Sequence, residues 1–178
     1  MRIELVRESK YYCTNFEQIH DVLHQINARY IARKQQTDYI FKIFDPATNE
    51  NSKRIKVRKE AVESVSSNIF IYIYNRNKGE ENVIFDYYEV KDEQIISIFT
   101  SLYGEAIKIQ KVREVWSIAN VEFHLDAVEG IGNLFEVELF GSNGNLENEK
   151  LDEYMELFRN FLLNKIEGSN EDLIPWKG

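Results

Sequence analysis

Four short runs of this chain place ionisable residues two apart on an apolar backbone: Arg54-Ile-Lys56-Val-Arg58, Lys111-Val-Arg113, His124-Leu-Asp126 and Glu136-Val-Glu138. Residues two apart on an extended strand share a face, so each run puts its charges on one side and its aliphatic residues on the other. Alternation by itself is equally what a strand with one wet face shows. The segregation of sign says more, because a solvated face usually mixes charges, whereas here the cations and the acids belong to different strands. Pre-placed Lys and Arg suit an anion, and clustered carboxylates suit a hard divalent cation that takes oxygen ligands. Together they predict a charged channel that holds an anion beside a metal.

Such a channel needs strands to line it and an apolar layer outside it. Period-two alternation rich in Ile, Val, Tyr and Phe marks eight strands at roughly 2–8, 38–44, 54–60, 68–76, 83–90, 109–117, 121–126 and 134–140. Turn residues separate several of them: Asp45-Pro46 to Asn51-Ser52, Asn75 to Asn82 with Gly79, and Ala119-Asn120. Three amphipathic helices are expected. Thr14-Asn-Phe-Glu17 reads as a capping box opening a helix with the stripe Phe16, Ile19, Leu23 and Ile26. A second, at about 91–103, turns Ile95, Ile98, Phe99 and Leu102 inward and ends at Gly104; a third, at about 147–166, carries Leu151, Tyr154, Leu157, Phe158, Phe161 and Leu162. The strands' oily outer faces supply the surface that these helices must cover. The consistent architecture is α+β, an eight-stranded antiparallel β-barrel with helices packed outside it.

The 178 residues, 43% hydrophobic and 13% aromatic, suffice for one good core, so a single domain over 1–178 is expected. A net charge of −8 argues against a nucleic-acid surface, so the cations must act locally. The lone Cys13 forms no internal disulfide and lacks zinc-site spacing. No apolar run approaches the roughly 20 residues of a membrane span. A cytoplasmic location follows as the expectation, with self-association as a homodimer left open.

The runs Asp38-Tyr-Ile-Phe41, Lys56-Val-Arg58, Lys111-Val-Arg-Glu-Val-Trp116 and Phe123-His-Leu-Asp-Ala-Val-Glu-Gly-Ile-Gly-Asn-Leu-Phe-Glu-Val-Glu138 occur in an order that resembles the CYTH superfamily, the triphosphate tunnel metalloenzymes. That superfamily includes class IV adenylate cyclases and thiamine triphosphatases, and the tail Asn170-Glu-Asp-Leu-Ile174 is similar to the cyclase-type branch. The resemblance implies a triphosphate tunnel in which Lys56, Arg58, Lys111 and Arg113 contact phosphate oxygens while Glu136 and Glu138 hold Mg²⁺ or Mn²⁺. Asp126 matches the family's acidic position, which adds it to Lys111 and Arg113 as a candidate catalytic group.

Three strands depart from the family pattern. Its first strand carries Glu-x-Glu-x-Lys; here the best register is Arg2-Ile-Glu4-Leu-Val6, which keeps only Glu4 as a metal ligand, with Glu8 on the same face. On the fourth, Ile71 and Ile73 are expected toward a helix and Tyr72 and Tyr74 into the tunnel, where they either stack on a base or, as the favoured reading, fill space, with Arg76 supplying a missing cation. On the fifth, Asp86 is the candidate remaining acid. Three functions are consistent with these residues. The leading one is conversion of a nucleoside triphosphate, ATP above all, to cyclic AMP and pyrophosphate. The others are hydrolysis of an organic or inorganic triphosphate, and non-catalytic binding of a nucleotide in a degenerate tunnel. His20 and His24, four apart on the first helix, read as surface or boundary residues rather than ligands.

Overall fold

A computed structural model describes residues 2–45, 50–63, 67–75, 82–140 and 148–174; the side chains of 2–6, 45, 50–52, 82–84 and 148–151 lie outside that description. Among the described residues nine strands form: β1 (Arg2–Cys13), β2 (Arg29–Asp45), β3 (Glu50–Val62), β4 (Ser67–Asn75), β5 (Asn82–Val90), β6 (Ile107–Ile118), β7 (Val121–Val128), β8 (Gly132–Phe140) and β9 (Leu162–Lys165). Their order across the sheet is β5-β4-β3-β2-β6-β7-β8-β1-β9, and every pairing is antiparallel. β5 also pairs with β1 over Arg2–Arg7, which brings the two ends of the eight-strand order together around a central tunnel.

The expected eight strands are all present, several of them longer than the alternation suggested. β1 runs on to Cys13, and β2 begins at Arg29. The ninth strand falls inside the segment expected to be helical to residue 166. α3 (Asn148–Phe158) instead ends early, passes through a 3₁₀ turn at Arg159–Phe161 and gives way to β9. Edge pairing with β1 at Tyr11 and Cys13 satisfies backbone groups that more helix would have satisfied internally.

Two apolar layers hold the helices on. Trp116, Phe123, Leu125, Phe135, Val137 and Leu139, the outward residues of β6–β8, are buried under Ile19 and Leu23 of α1 (Glu17–Gln25) and Phe158 of α3. Phe158 is fully enclosed, its ring 4.6 Å from Phe135 and 5.5 Å from Phe123. Phe41, Ile55, Val57, Ile69 and Ile71 of β2–β4 meet Ile95, Ile96 and Phe99 of α2 (Gln94–Tyr103), which ends at Gly104 with φ 84°. The inward stripe of α2 is thus rotated from the expected one: Ile98 and Leu102 are exposed, and so is Leu157 of α3. The capping box at Thr14 and Glu17 does not form either. Asn15 Oδ1 accepts the Glu17 N–H at 3.1 Å, and Phe16 occupies the N-cap. Leu151 lies outside the described side chains.

A third cluster lies inside the tunnel. Ile40, Ile109 and Leu134 continue the inward faces of β2, β6 and β8, and with Val128 they pack against Ile166 and Leu173 of the C-terminal segment. One end of the polar channel therefore rests on an apolar layer. No helix among the described residues is long and apolar enough to cross a membrane.

Candidate functional site

The inward strand faces enclose a cavity of about 650 Å³, lined by residues of β1–β8 and of the 3₁₀ segment Asn170–Leu173 with its N-cap Ser169. Strand register explains its polarity. Lys56 stands beside Ile40 of β2 and Tyr72 of β4, and Arg58 stands between Asp38 and Phe70. Across β2, Lys111 lies beside Gln36, and Arg113 beside Lys34 and Asp126. On the opposite side one rung runs His124–Glu136–Lys10, and the next runs Glu122–Glu138–Glu8. Three carboxylates in adjacent register repel one another, a cost that a bound cation removes.

On the basic side, carboxylates anchor the arginines. Asp38 accepts from Arg58 Nε at 2.7 Å and Nη2 at 2.8 Å. Asp126 is completely buried, accepts two bonds from Arg113 at 2.6 Å and one from Lys111 Nζ at 2.7 Å, and does not line the cavity. It therefore sits behind the cations, fixing Lys111 and Arg113 from outside the cavity. Burial alone would lift both aspartates, but Arg58, and Arg113 with Lys111, outweigh it and hold them well below the carboxylate range. The lysines respond the other way. Burial, then the nearby guanidinium of Arg58 or Arg113, pushes Lys56 and Lys111 each down to about 8. Lys56 makes no salt bridge among the described residues; its Nζ lies 4.5 Å above the Tyr72 ring.

On the acidic side Glu136 Oε2 meets Lys10 Nζ at 2.8 Å, and Oε1 lies 3.4 Å from both Arg113 and His124. Burial opposes the Glu136 charge, yet Lys10 and Arg113 keep its carboxyl well below the usual range. Burial lifts the Glu138 carboxyl, and its Glu136 neighbour adds to the lift against the pull of His124. Burial and Arg113 disfavour charge on His124, but Glu138, Glu122 and Glu136 prevail and raise it to about 10.

Oxygens of Glu8, Glu136 and Glu138 lie within 4.8 Å of one another, as do ligand atoms of Glu122, His124 and Glu138. The all-oxygen trio fits a hard cation such as Mg²⁺ or Mn²⁺. Burial and the Glu136 charge both oppose ionisation of Glu138, and a cation bound beside it would favour the carboxylate.

Lys56, Arg58, Lys111 and Arg113 therefore converge on one cavity as expected, and Glu136 and Glu138 face them across it. Glu4 is placed only by its backbone, opposite Phe85 on β5, with its side chain outside the description; Arg76 lies outside the described residues altogether. Glu8 and Lys10 of β1 line the cavity, and Glu8-Ser-Lys10 matches the last three positions of Glu-x-Glu-x-Lys. The expected strand stopped at residue 8, two residues short of Lys10. Asp86 is a correction. Phe85 and Tyr87 line the cavity, so Asp86, paired with Ile73, faces outward. Ile71 and Ile73 do pack toward α2, and Tyr72 and Tyr74 do turn inward. Arg54, the third cation of its run, is spent on the tail, where it binds Glu171 and Asp172 while the Tyr74 hydroxyl donates to Glu171 at 3.2 Å. Outside the tunnel, Trp116 packs under α1 against His24, and Glu114 pairs with His20 at 2.7 Å.

Comparison with known proteins agrees with this geometry. The CYTH domain family model matches residues 4–170. "Putative adenylate cyclase MJ0240" of Methanocaldococcus jannaschii is 26% identical over 147 residues, 80% of this chain and 81% of that protein. The PH1012 protein of Pyrococcus horikoshii OT3 superposes with a TM-score of 0.76 at 24% identity, covering 95% of this chain and 99% of its own. HpAC1 from Hippeastrum, described as an adenylyl cyclase candidate with a dominant triphosphatase activity, superposes at 0.56 with 16% identity, covering 94% and 91%.

Proposed function

Because the chain belongs to the CYTH domain family, we propose that its tunnel binds a nucleoside or organic triphosphate with Mg²⁺ or Mn²⁺ and catalyses displacement at phosphorus, converting ATP to cyclic AMP and pyrophosphate. The observation that carries this reading is the division of one cavity by sign: Lys56, Arg58, Lys111 and Arg113 on one wall, Glu8, Glu136 and Glu138 on the other, with Lys10 between them.

The four cations hold the phosphate oxygens, and Asp38 and Asp126 fix the two guanidinium forks before ligand arrives. Such preorganisation is the main way a protein stabilises charge that builds up on a leaving pyrophosphate. Arriving phosphate also favours the protonated forms of Lys56 and Lys111, which the empty tunnel disfavours. Glu8, Glu136 and Glu138 would hold the divalent cation, which when bound draws charge from phosphate oxygens as a Lewis acid. Lys10 pairs with Glu136, and His124 lies against both Glu136 and Glu138, so these two side chains steady the carboxylates within the cavity wall.

Hydrolysis of the triphosphate is the second reading. It is favoured by the triphosphatase activity described for HpAC1, whose fold this chain shares. Both reactions use the same cations and differ in the nucleophile, a ribose 3′-hydroxyl in one and water in the other. Incubation with ATP and Mg²⁺ or Mn²⁺, followed by chromatography, separates them. Cyclic AMP with pyrophosphate supports the cyclase, and ADP with phosphate supports the hydrolase. Absence of turnover with ATP, thiamine triphosphate and tripolyphosphate, with binding retained, would refute both and leave a receptor.

A further inference from the structure

Opposite the arginine anchors the cavity has a wall that phosphate binding does not use. Phe70 and Tyr72 of β4 and Phe85 and Tyr87 of β5 all line it, and all are only half-buried. Phe70 and Tyr87 stack at 5.4 Å between centroids with planes 23° apart. Tyr72 meets Phe85 and Tyr87 edge-on at 5.6 and 5.3 Å. Rings that merely fill space end up enclosed, as Tyr74 is, with its hydroxyl bonded to Glu171. Four aromatic rings left wet on a concave surface instead forgo burial that a ligand can supply.

The wall also touches the phosphate side. Lys56 Nζ lies 4.5 Å and Arg58 Cζ 5.5 Å from the Tyr72 ring centroid. Lys56, Tyr72 and Tyr87 form one rung across β3, β4 and β5. Tyr87 is therefore two interstrand spacings, roughly 10 Å, from the Lys56 backbone. A triphosphate held by Lys56 and Arg58 brings whatever is attached to it against these rings, and inorganic tripolyphosphate has nothing to place there.

We infer that Phe70, Tyr72, Phe85 and Tyr87 form the subsite for a planar heterocycle covalently attached to the triphosphate, so that the tunnel prefers heterocycle-bearing triphosphates to inorganic ones. This inference rests on the triphosphate reading above and adds the class of organic group. Stacking is tolerant of which ring is offered, so a purine and a thiamine-type ring are both candidates for the same wall.

The test is a calorimetric ladder on the wild-type protein, with Ca²⁺ as the divalent ion and chromatography verifying that each ligand stays intact. Tripolyphosphate, ribose 5-triphosphate, ATP and thiamine triphosphate are compared. ATP or thiamine triphosphate should bind at least about tenfold more tightly than ribose 5-triphosphate, the size of one base–aromatic stack. The tighter of the two identifies the ring. Nuclear Overhauser contacts should join its protons to tyrosine and phenylalanine ring protons. Phe70→Leu/Tyr87→Leu should shrink the gap to about threefold or less while tripolyphosphate affinity holds. If that double variant does not fold, the wild-type ladder and the Overhauser contacts still decide. Equal affinity for all four ligands overturns the inference and leaves the triphosphate reading standing. Failure of all four to bind overturns both.

Discussion

Lys56 is the residue at which stability and binding should pull apart. Its ammonium is held in the tunnel without a salt bridge among the described residues, and burial with the Arg58 charge lowers its pKa from 10.5 to about 8. That drop corresponds to about 3 kcal/mol against the charged form in the folded state. Water in the cavity screens part of it, so roughly half should be recoverable by Lys56→Met, whose sulfur can also lie against the Tyr72 ring. For a chain of this size the gain is a rise in Tm of about 3–6 °C at pH 7. The sign of the pH dependence follows from the same pKa. The unfolded chain keeps this proton up to about pH 10.5 and the folded chain only up to about 8, so the folded state binds fewer protons in between. Wild-type stability therefore rises across that window, and the variant's advantage is complete below pH 8 and gone near 10.5. Ligand should act oppositely. Tripolyphosphate with Mg²⁺ at 100 times its Kd adds about 2.7 kcal/mol to the wild type, and the variant should lose most of that shift. Thermal melts at pH 7 and pH 10, each with and without ligand, make the measurement. A variant that melts lower at pH 7, or keeps its advantage at pH 10, or responds to ligand as the wild type does, would refute the reasoning.

Three further outcomes are expected. Asp126→Asn leaves Lys111 buried without its counter-charge and Arg113 with only the longer contact to Glu136, and should cost about 3–5 kcal/mol in denaturant unfolding; a loss below about 1 kcal/mol would mean that the clamp is not structural. Glu138→Gln replaces a carboxyl already lifted by burial and by Glu136, so stability should change by less than about 1 kcal/mol. The same variant should weaken Mn²⁺ binding, read by electron paramagnetic resonance, by at least about tenfold, and unaltered binding would exclude Glu138 as a ligand. Glu171→Ala removes the carboxylate that Arg54 and Tyr74 share, and amide exchange over Ile166–Leu173 should quicken while β7 and β8 stay protected; unchanged exchange would show that the apolar contacts of Ile166 and Leu173 hold the tail alone.

One relative of this chain is named "Putative adenylate cyclase MJ0240", and a protein of the same fold is described with a dominant triphosphatase activity; the two reactions proposed here would draw on the same division of charge in the tunnel. What separates them is the group presented to phosphorus, which depends on how the ligand's organic part is held. The aromatic wall therefore bears on reaction as well as on affinity, since a ring fixed against Tyr87 and Phe70 also constrains the ribose attached to it.

Period-two alternation was enough to read the strands and most of their faces, because the pleat is a local property of the backbone. It put Lys56, Arg58, Lys111, Arg113, Glu136 and Glu138 on inward faces and sent Ile71 and Ile73 outward. It was weaker where periodicity met an element boundary. Lys10 was missed because β1 outlasts its clearest alternation, and the helix expected through residue 166 gives way to β9, whose edge pairing is long-range. Only the tertiary structure could decide which rung faces which. Register brings Glu8, Glu122 and Glu138 together from three strands, sets Asp126 behind the cations instead of among them, and turns Asp86 out of the tunnel. It also spends Arg54 on Glu171, 117 residues away, so that one cation of a three-cation run anchors the tail rather than facing the ligand. A sequence pattern fixes the face on which a charge stands; the identity of its partner depends on hydrogen-bonded register and chain closure, which no local window contains.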